Sequence, residues 1–288
     1  MTALPFSSLL TTANPKTDKG RELGYLTSVL HLAPASLSGF NVCNRSTPGC
    51  RAGCLNLAGR GGIIPRGATT NAIQRARVAR TRLLFSDRPL FLQTLQGEIE
   101  THVRRADRLG LAPAMRLNGT SDLPWERIAP AILERFSDVQ FYDYTKDPSR
   151  YFDSRSRPEH YHLTLSRSEH TTPEVMRSAL VWGSVAVVYD STDSILSSGF
   201  DCETPAHDAD SHDLRFLDRP GSIGALRAKG PARHDETGFV VRTARGETAC
   251  PQTLLGLAPV EDWAADWSEA SEEWAESVAE SEAEYRAR

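Results

Sequence analysis

The chain has 288 residues, of which 40% are hydrophobic and 24% charged, and its net charge is −4 at neutral pH. These values are typical of a globular protein with one large domain or two small ones. No apolar run reaches the ~18 residues that span a bilayer. The N-terminus also lacks the basic cluster and apolar core of a signal peptide, so we expect a cytoplasmic protein.

The first part of the chain predicts one strand followed by two helices. Residues 23–32 are apolar and partly β-branched, which is typical of a buried strand. A loop with three cysteines and the glycine-rich stretch 59–67 come next. Residues 69–85 and 89–109 then show helical apolar spacing, and the FSDRP between them supplies turn residues.

Strands and helices alternate in the following part. Short β-rich runs lie at 113–119, 139–145, 160–166 and 184–190, and helical patterns at 123–136 and 172–183. Pro130 interrupts the first of these helical patterns, which predicts two short helices or one kinked helix. Later strand-like runs with short connections lie at 213–218, 222–230 and 238–243.

Alternating strands and helices predict a parallel sheet with crossover helices. With about seven or eight strands, we predict an α/β fold, namely a complete or partial (β/α) barrel of parallel strands, as in a TIM barrel. A flat doubly wound sheet is the alternative. This domain covers residues 1–260, which together carry a net charge of +4.

Residues 261–288 form a distinct acidic tail with ten acidic residues and two arginines. Trp263, Trp267, Trp274 and Val278 fall on one stripe of a helix, which predicts an amphipathic helix that docks on the body. A tail that binds a protein partner or mimics DNA is the second interpretation. Disorder is the third.

Three of the five cysteines crowd into CNRSTPGCRAGC, at Cys43, Cys50 and Cys54. In a reducing compartment, clustered thiols bind metals more often than they form disulfides. Three thiolates can hold a four-iron, four-sulfur cluster and leave one iron open to S-adenosylmethionine (SAM). A structural zinc site needs four ligands, so we predict the cluster. Zinc, or no metal, remains an alternative.

Cys202 and Cys250 stand alone in the sequence. Each is predicted to be a small buried apolar residue, and either is an alternative fourth metal ligand.

Several phrases of the chain are distinctive: NPKTDKGRELGYLTSVLHLAPASLSGFNVC, GCRAGCLNLAGRGG, MRLNGTSDLPWE, VQFYDYTK, YHLTLSRSE and DLRFLD…KGPARHDETGFV. Over roughly residues 13–245 they resemble the phage protein family named for gene product 88. The resemblance implies a phage or prophage origin, and hence the bacterial host cytoplasm. It implies no particular reaction.

The cysteine loop is also similar, more distantly, to that of the radical-SAM superfamily. Phage-associated members have a wide C-x6-C-x2-C loop, whereas the usual spacing is C-x3-C-x2-C. This chain has C-x6-C-x3-C, with Gly53 before the last cysteine, where an aromatic residue is usual. The resemblance implies an iron–sulfur enzyme that uses SAM.

Catalytic and binding groups of a (β/α) barrel lie at the carboxyl ends of its strands. There we predict cofactor contacts from Arg116, Asn118, Ser166 and Arg167, and Glu169 is placed with Ser166 and Arg167 to bind substrate or SAM. Tyr142, Asp143, Tyr144 and Lys146 are further candidates to contact a ligand. Asp122 and Ser121 precede a helix with Pro124 in its first turn, which predicts helix capping.

Three weaker patterns complete the candidate sites. His160 and His162 share one strand face and are either a metal pair or inert. The stretch from His207 to Asp213 is either a divalent-metal site or a polar loop. Lys229, Arg233 and His234 are candidates to contact phosphates.

The sequence therefore predicts a radical-SAM-like iron–sulfur enzyme, with a nucleotide or nucleic-acid base as substrate. The first alternative is a non-catalytic nucleic-acid-binding protein of phage replication, stabilised by zinc or by a cluster. The second is a protein that binds a protein partner through its acidic tail.

Overall fold

A computed structural model describes residues 6–12, 15–197, 202–243 and 250–257. The acidic tail lies outside the described residues, and so do the predictions made for it. Among the described residues, no helix has the length and apolar character needed to cross a membrane.

The strands are β1 (Leu10–Thr11), β2 (Tyr25–Leu30), β3 (Ala112–Arg116), β4 (Gln140–Thr145), β5 (Tyr161–Ser166), β6 (Val185–Tyr189), β7 (Ala206–Asp208) and β8 (Ile223–Arg227). The helices are α1 (Pro15–Glu22), α2 (Pro48–Ala52), α3 (Gly59–Gly62), α4 (Ala72–Ser86), α5 (Arg88–Leu109), α6 (Trp125–Ile128), α7 (Pro130–Arg135), α8 (Pro148–Phe152), α9 (Pro173–Trp182), α10 (Asp193–Leu196) and α11 (Pro251–Leu255). In the described part of the chain, 3-10 turns span Leu55–Leu57, Arg215–Leu217 and Gly230–His234.

All eight strands form one sheet in the order β1-β2-β3-β4-β5-β6-β8-β7. Only the β1–β2 pair is antiparallel. From β2 to β6 the strands follow chain order, without the reversal of a doubly wound sheet. Within the described residues, no pairing joins β1 to β7. The predicted α/β fold with a mostly parallel sheet is therefore confirmed, whereas a closed barrel is not.

Local signals set the helix boundaries. Asp87 caps α5 by accepting the N–H of Leu90 at 3.1 Å, and Gly110 ends that helix with a φ of 65°. Pro130 splits the predicted helix 123–136 into α6 and α7, because a proline has no N–H for the preceding turn.

One face of the sheet packs against the helices. Met115 of β3 and Phe141 of β4 are fully buried in the same apolar cluster as Phe91, Leu95 and Ile99 of α5. Burial of each such side chain contributes ~1.5–3 kcal/mol. This packing fixes the inner strands and therefore the positions of their carboxyl ends.

The opposite face is covered by the 3-10 turn Arg215–Leu217, where the sequence predicted a strand at 213–218. Leu214 and Phe216 pack against Tyr142, with a ring-centroid distance of 5.4 Å for the aromatic pair. Arg215 is fully buried and pairs with Asp218 at 3.3 Å. In a strand, the side chains of Arg215 and Asp218 would point to opposite faces and could not form this ion pair. The prediction of a strand at 213–218 is therefore wrong.

The predicted strand 238–243 is also wrong, apart from a single bridge between Tyr189 and Val241. Side chains replace the missing strand partners. Asp235 accepts the N–H of Val240 at 3.0 Å, and Asp190 accepts the N–H of Thr243 at 3.0 Å. The short edge strands β1 and β7 had no clear sequence signal.

Candidate functional site

The carboxyl ends of the parallel strands open into a cavity of about 250 Å³. In sheets of this type, ligands bind at this edge. The lining includes the three loop cysteines and polar side chains from the strand ends, among them Arg116, Asn118, Tyr144, Lys146, Ser166, Asp210, Asp213, Arg227 and Lys229. The tertiary structure thus brings the predicted metal ligands and three of the four predicted cofactor contacts to one place.

Glu169, just after β5, holds the cysteine loop in position. Its Oε2 accepts the hydroxyl of Thr47 at 2.6 Å, and its Oε1 accepts the N–H of Gly49 at 2.7 Å. Thr47 caps α2 by accepting the N–H of Cys50 at 3.2 Å. A Cβ at Gly49 would lie 2.1 Å from Oγ1 of Thr237, so a side chain does not fit there. Glu169, predicted near a ligand, thus has a structural role.

Cys43, Cys50 and Cys54 are free and partly buried. Burial raises the pKa of Cys43 to about 12 and also raises the pKa of Cys50 and of Cys54. Two of these sulfurs accept backbone hydrogen bonds, Cys43 from Ala35 at 3.3 Å and Cys54 from Asn56. As free thiols they are protonated at neutral pH, but both hydrogen bonds favour the thiolate.

Ala35 reaches the sulfur of Cys43 from an unusual backbone conformation. Its φ is 46°, and among the described residues no other residue except glycine has a positive φ. Its carbonyl accepts the N–H of Val42 at 3.2 Å, which closes the turn. A left-handed alanine costs about 1–2 kcal/mol, and such strain is concentrated at functional sites.

Arg116, a predicted cofactor contact, lines the cavity. Its Nη1 pairs with Asp213 at 2.9 Å, and its guanidinium lies over the ring of Tyr144, 4.5 Å from the centroid. The Nε of Arg116 and the hydroxyl of Tyr144 are buried and have no hydrogen-bond partner. The ion pair and the ring contact therefore hold the guanidinium in place beside the cavity.

Asn118 is fully engaged inside the protein, although it touches the cavity. Its Nδ2 donates to the carbonyl of Leu123 at 2.9 Å and to Asp143 at 3.1 Å. Its Oδ1 accepts the N–H of Leu123 at 2.9 Å and the hydroxyl of Ser121 at 2.8 Å. The structure therefore indicates that Asn118 shapes the loop after β3 and has little capacity left for a ligand.

Ser166 and Arg167 differ in their surroundings. Ser166 faces the cavity, and its hydroxyl accepts a hydrogen bond from Nζ of Lys146 at 2.9 Å. Arg167 is not among the cavity-lining residues, and its Nη1 donates to the carbonyl of Gly238 at 2.8 Å. The structure thus shows Arg167 fastening the 238–240 loop.

Lys146 is a cavity residue that the sequence ranked only among several candidates. Its Nζ also lies 5.0 Å from the ring centre of Phe239 and donates to the carbonyl of Arg167 at 3.2 Å. Burial lowers the pKa of Lys146, whereas the nearby Cys50 opposes that shift. Its position immediately after β4 was the sequence signal that could have identified it.

Asp122 does not cap a helix, contrary to the prediction, and α6 has no side-chain cap. One of its oxygens accepts the backbone N–H of Lys146 at 2.8 Å, and the other pairs with Arg150 at 2.9 Å. Burial raises the pKa of Asp122, and Arg150 opposes that shift. Glu126 also pairs with Arg150, at 2.8 Å. The carboxylate therefore joins the loop after β3 to the end of β4.

Asp143 is completely buried behind the cavity wall. It accepts the N–H of Asn118 at 2.6 Å and the hydroxyl of Tyr161 at 2.7 Å. Burial raises its pKa to about 7, against the opposing effect of Arg150 and these donors. Asp143 therefore has a structural role, joining β4 to Asn118 and to Tyr161 of β5.

The predicted histidine sites are not assembled as metal sites. Within the described part of the chain, no group of three or more His, Cys, Asp or Glu side chains is placed to hold a single metal ion. His160 hydrogen-bonds the carbonyl of Leu133 at 2.9 Å, and His207 lies 3.0 Å from Asp218. From the 207–213 stretch, Asp210 and Asp213 reach the cavity wall.

Cys202 and Cys250 form a disulfide. The interpretation of each as an isolated buried residue, or as a fourth metal ligand, is therefore wrong. No local pattern in the sequence indicated this pair, because the two cysteines are 48 positions apart. The disulfide joins the segment before β7 to the start of α11.

The family model described as gene product 88 matches residues 8–243, and the chain therefore belongs to the gene product 88 family. This match supports the resemblance to the phage family; it does not extend to the radical-SAM superfamily. No curated protein and no solved structure matches the chain.

Proposed function

We propose that this member of the gene product 88 family is an iron–sulfur enzyme. Cys43, Cys50 and Cys54 would hold a four-iron, four-sulfur cluster in the cavity at the strand ends. The observation that carries the proposal is the lining of that cavity, which brings three free thiols together with the polar side chains of Arg116, Tyr144 and Lys146.

The surroundings of the thiols fit a cluster. Backbone N–H groups point at Cys43 and Cys54, and such hydrogen bonds stabilise cluster thiolates and tune their reduction potential.

The number of thiols supports an open coordination position. With Cys202 and Cys250 joined in a disulfide, the three loop thiols are the remaining cysteines of the chain. A structural zinc site closes four ligands around the metal. A cluster held by three cysteines leaves one iron open to a small ligand. Our candidate for this ligand is SAM, to which a reduced cluster of this kind would supply one electron.

The residues of the chain would bind and orient that ligand. The guanidinium of Arg116, which lines the cavity, is a charged donor for a carboxylate or phosphate oxygen. Tyr144 lines the cavity beside it. Lys146 and Ser166 are hydrogen-bonded to each other and supply a second polar wall, while Phe239 supplies an apolar one. The substrate we propose is a nucleotide or a nucleic-acid base.

The test is anaerobic purification followed by a visible spectrum with iron, sulfide and zinc counts. We expect broad absorption near ~400 nm and about four irons per chain. Cys50→Ala should lose both. The matched control is the Cys202→Ala/Cys250→Ala double variant, which keeps the loop thiols and should retain the iron. A colourless protein with one zinc per chain would refute the proposal and favour the non-catalytic binder.

A further inference from the structure

Residues 23–86 contain no aspartate, glutamate or lysine, yet they contain eight arginines. The segment therefore carries a net charge of +8, whereas the rest of residues 1–260 sums to −4. The basic character of the body thus comes entirely from the segment that holds the cysteine loop.

Four of these arginines form what we call the arginine surface: Arg51, Arg60, Arg66 and Arg75, all exposed. Arg51 lies on α2 between two of the thiols, Arg60 on α3 and Arg75 on α4, and α3 packs against both α4 and the turn Leu55–Leu57. Among the described residues, none of the four has an ion pair. Their charges are therefore available to a partner.

Buried amides hold this surface in one shape. Asn71 donates through Nδ2 to the carbonyls of Gly61 and Ile63, each at 2.9 Å, and Gln74 donates to Gly61 at 2.9 Å. Asn71 and Gln74 are both buried. A surface that is already ordered loses less entropy when a partner binds.

A second basic element lies next to this surface. The turn Gly230–His234 packs against α2 and against the turn Leu55–Leu57, and a Cβ at Gly53 would lie 3.0 Å from Ala232. Arg233 and His234 on this turn are exposed. The two elements together extend the basic surface beside the cysteine loop.

Exposed arginines without neighbouring acids fit the phosphates of a polyanion, because the guanidinium binds them through two hydrogen bonds. Between the arginines, Leu55 and Ile63 are 51% and 68% exposed and offer apolar contact to bases. At about 250 Å³, the cavity is too small for a polymer and admits one unit of it. A base inside a duplex cannot reach such a cavity, whereas a single strand can present one.

We infer that the arginine surface binds the sugar–phosphate backbone of a single-stranded nucleic acid and directs one base into the cavity. Delivery of a base for reaction rests on the proposed function. Binding of the strand does not, because none of the four arginines lines the cavity.

The experiment is fluorescence anisotropy with a labelled single strand of about 20 nucleotides, as DNA and as RNA, over ~50 to ~200 mM salt. The test variant is Arg51→Gln/Arg60→Gln/Arg66→Gln. The matched control, Arg104→Gln/Arg108→Gln/Arg155→Gln, removes the same charge from exposed positions away from the loop. We expect the test variant to bind at least ~10-fold more weakly, with a salt slope smaller by about 2, and the control to stay within ~2-fold of the wild type.

Other outcomes overturn the inference. Equal losses in both triple variants would show binding by net charge alone. Tighter binding of a matched duplex would contradict the single strand, and binding of poly-glutamate without binding of either strand would indicate an acidic protein partner. Cys50→Ala separates the two proposals: it should lose iron but keep strand binding, so failure of the cluster leaves this inference standing.

Discussion

Replacement of Asn118 by alanine tests whether this residue builds the site or binds the cofactor. The sequence predicted a cofactor contact. In the structure both ends of the amide are hydrogen-bonded to the loop after β3 and to Asp143. The side chain is only 2% exposed, so water cannot replace these partners.

The expected loss follows from the groups that alanine leaves behind. The N–H of Leu123 and the indole N–H of Trp125 would both lose their partner, and Asp143 would lose one of its donors. Each unsatisfied buried group costs about 1–3 kcal/mol. We therefore expect the free energy of unfolding to fall by about 3–4 kcal/mol.

Urea denaturation of the metal-free protein, followed by circular dichroism, measures this change without a contribution from a bound cofactor. Asn44→Ala is the control. Asn44 lies in the same cysteine loop with an exposed side chain, and its replacement should change stability by less than ~0.5 kcal/mol. If Asn118→Ala unfolds within ~1 kcal/mol of the wild type and instead loses its ligand, the structural role assigned here is refuted.

Three further predictions concern other parts of the fold. Glu169→Gln removes one of two charge-assisted hydrogen bonds to the cysteine loop, so alkylation of Cys50 should become about tenfold faster. Reduction of the Cys202–Cys250 disulfide should lower the free energy of unfolding by about 2–4 kcal/mol, since it releases a long loop in the unfolded chain. As the pH rises from about 4 to about 7, the free energy of unfolding should fall by on the order of 4 kcal/mol in all. The reason is that Asp143 keeps its proton up to about pH 7 in the folded protein but loses it near pH 4 in the unfolded chain.

Each of these predictions has its own control. Glu174→Gln removes an exposed glutamate from α9 and should leave the alkylation rate unchanged. The Cys202→Ala/Cys250→Ala variant should be insensitive to reductant. Asp143→Asn should remove the contribution of Asp143 to the pH dependence of the free energy of unfolding. If the difference in this free energy between the variant and the wild type is the same at pH 4 and at pH 7, the raised pKa of Asp143 is contradicted.

Local residue patterns were enough to predict much of the fold. The alternation of β-branched runs with helical spacing gave the inner strands β2 to β6 and the long helices α4, α5 and α9, because these elements bury a continuous apolar face. The crowding of Cys43, Cys50 and Cys54 directly after the first long strand identified the candidate site. Prediction failed where pairing depends on distant side chains, as in the 213–218 turn and the 238–243 loop.

The sequence by itself determined the residue types that reach the strand ends, since position along a parallel strand decides which edge a residue occupies. Only the tertiary structure decided their roles. Glu169 meets Thr47 across 122 positions, and Arg116 meets Asp213 across 97. The sequence places Arg116 and Asn118 on the same face at the end of one strand. In the structure the amide of Asn118 is fully hydrogen-bonded inside the protein, whereas the Nε of Arg116 has no hydrogen-bond partner. Hydrogen-bond partners this far apart in the chain are set by packing, which no local pattern encodes.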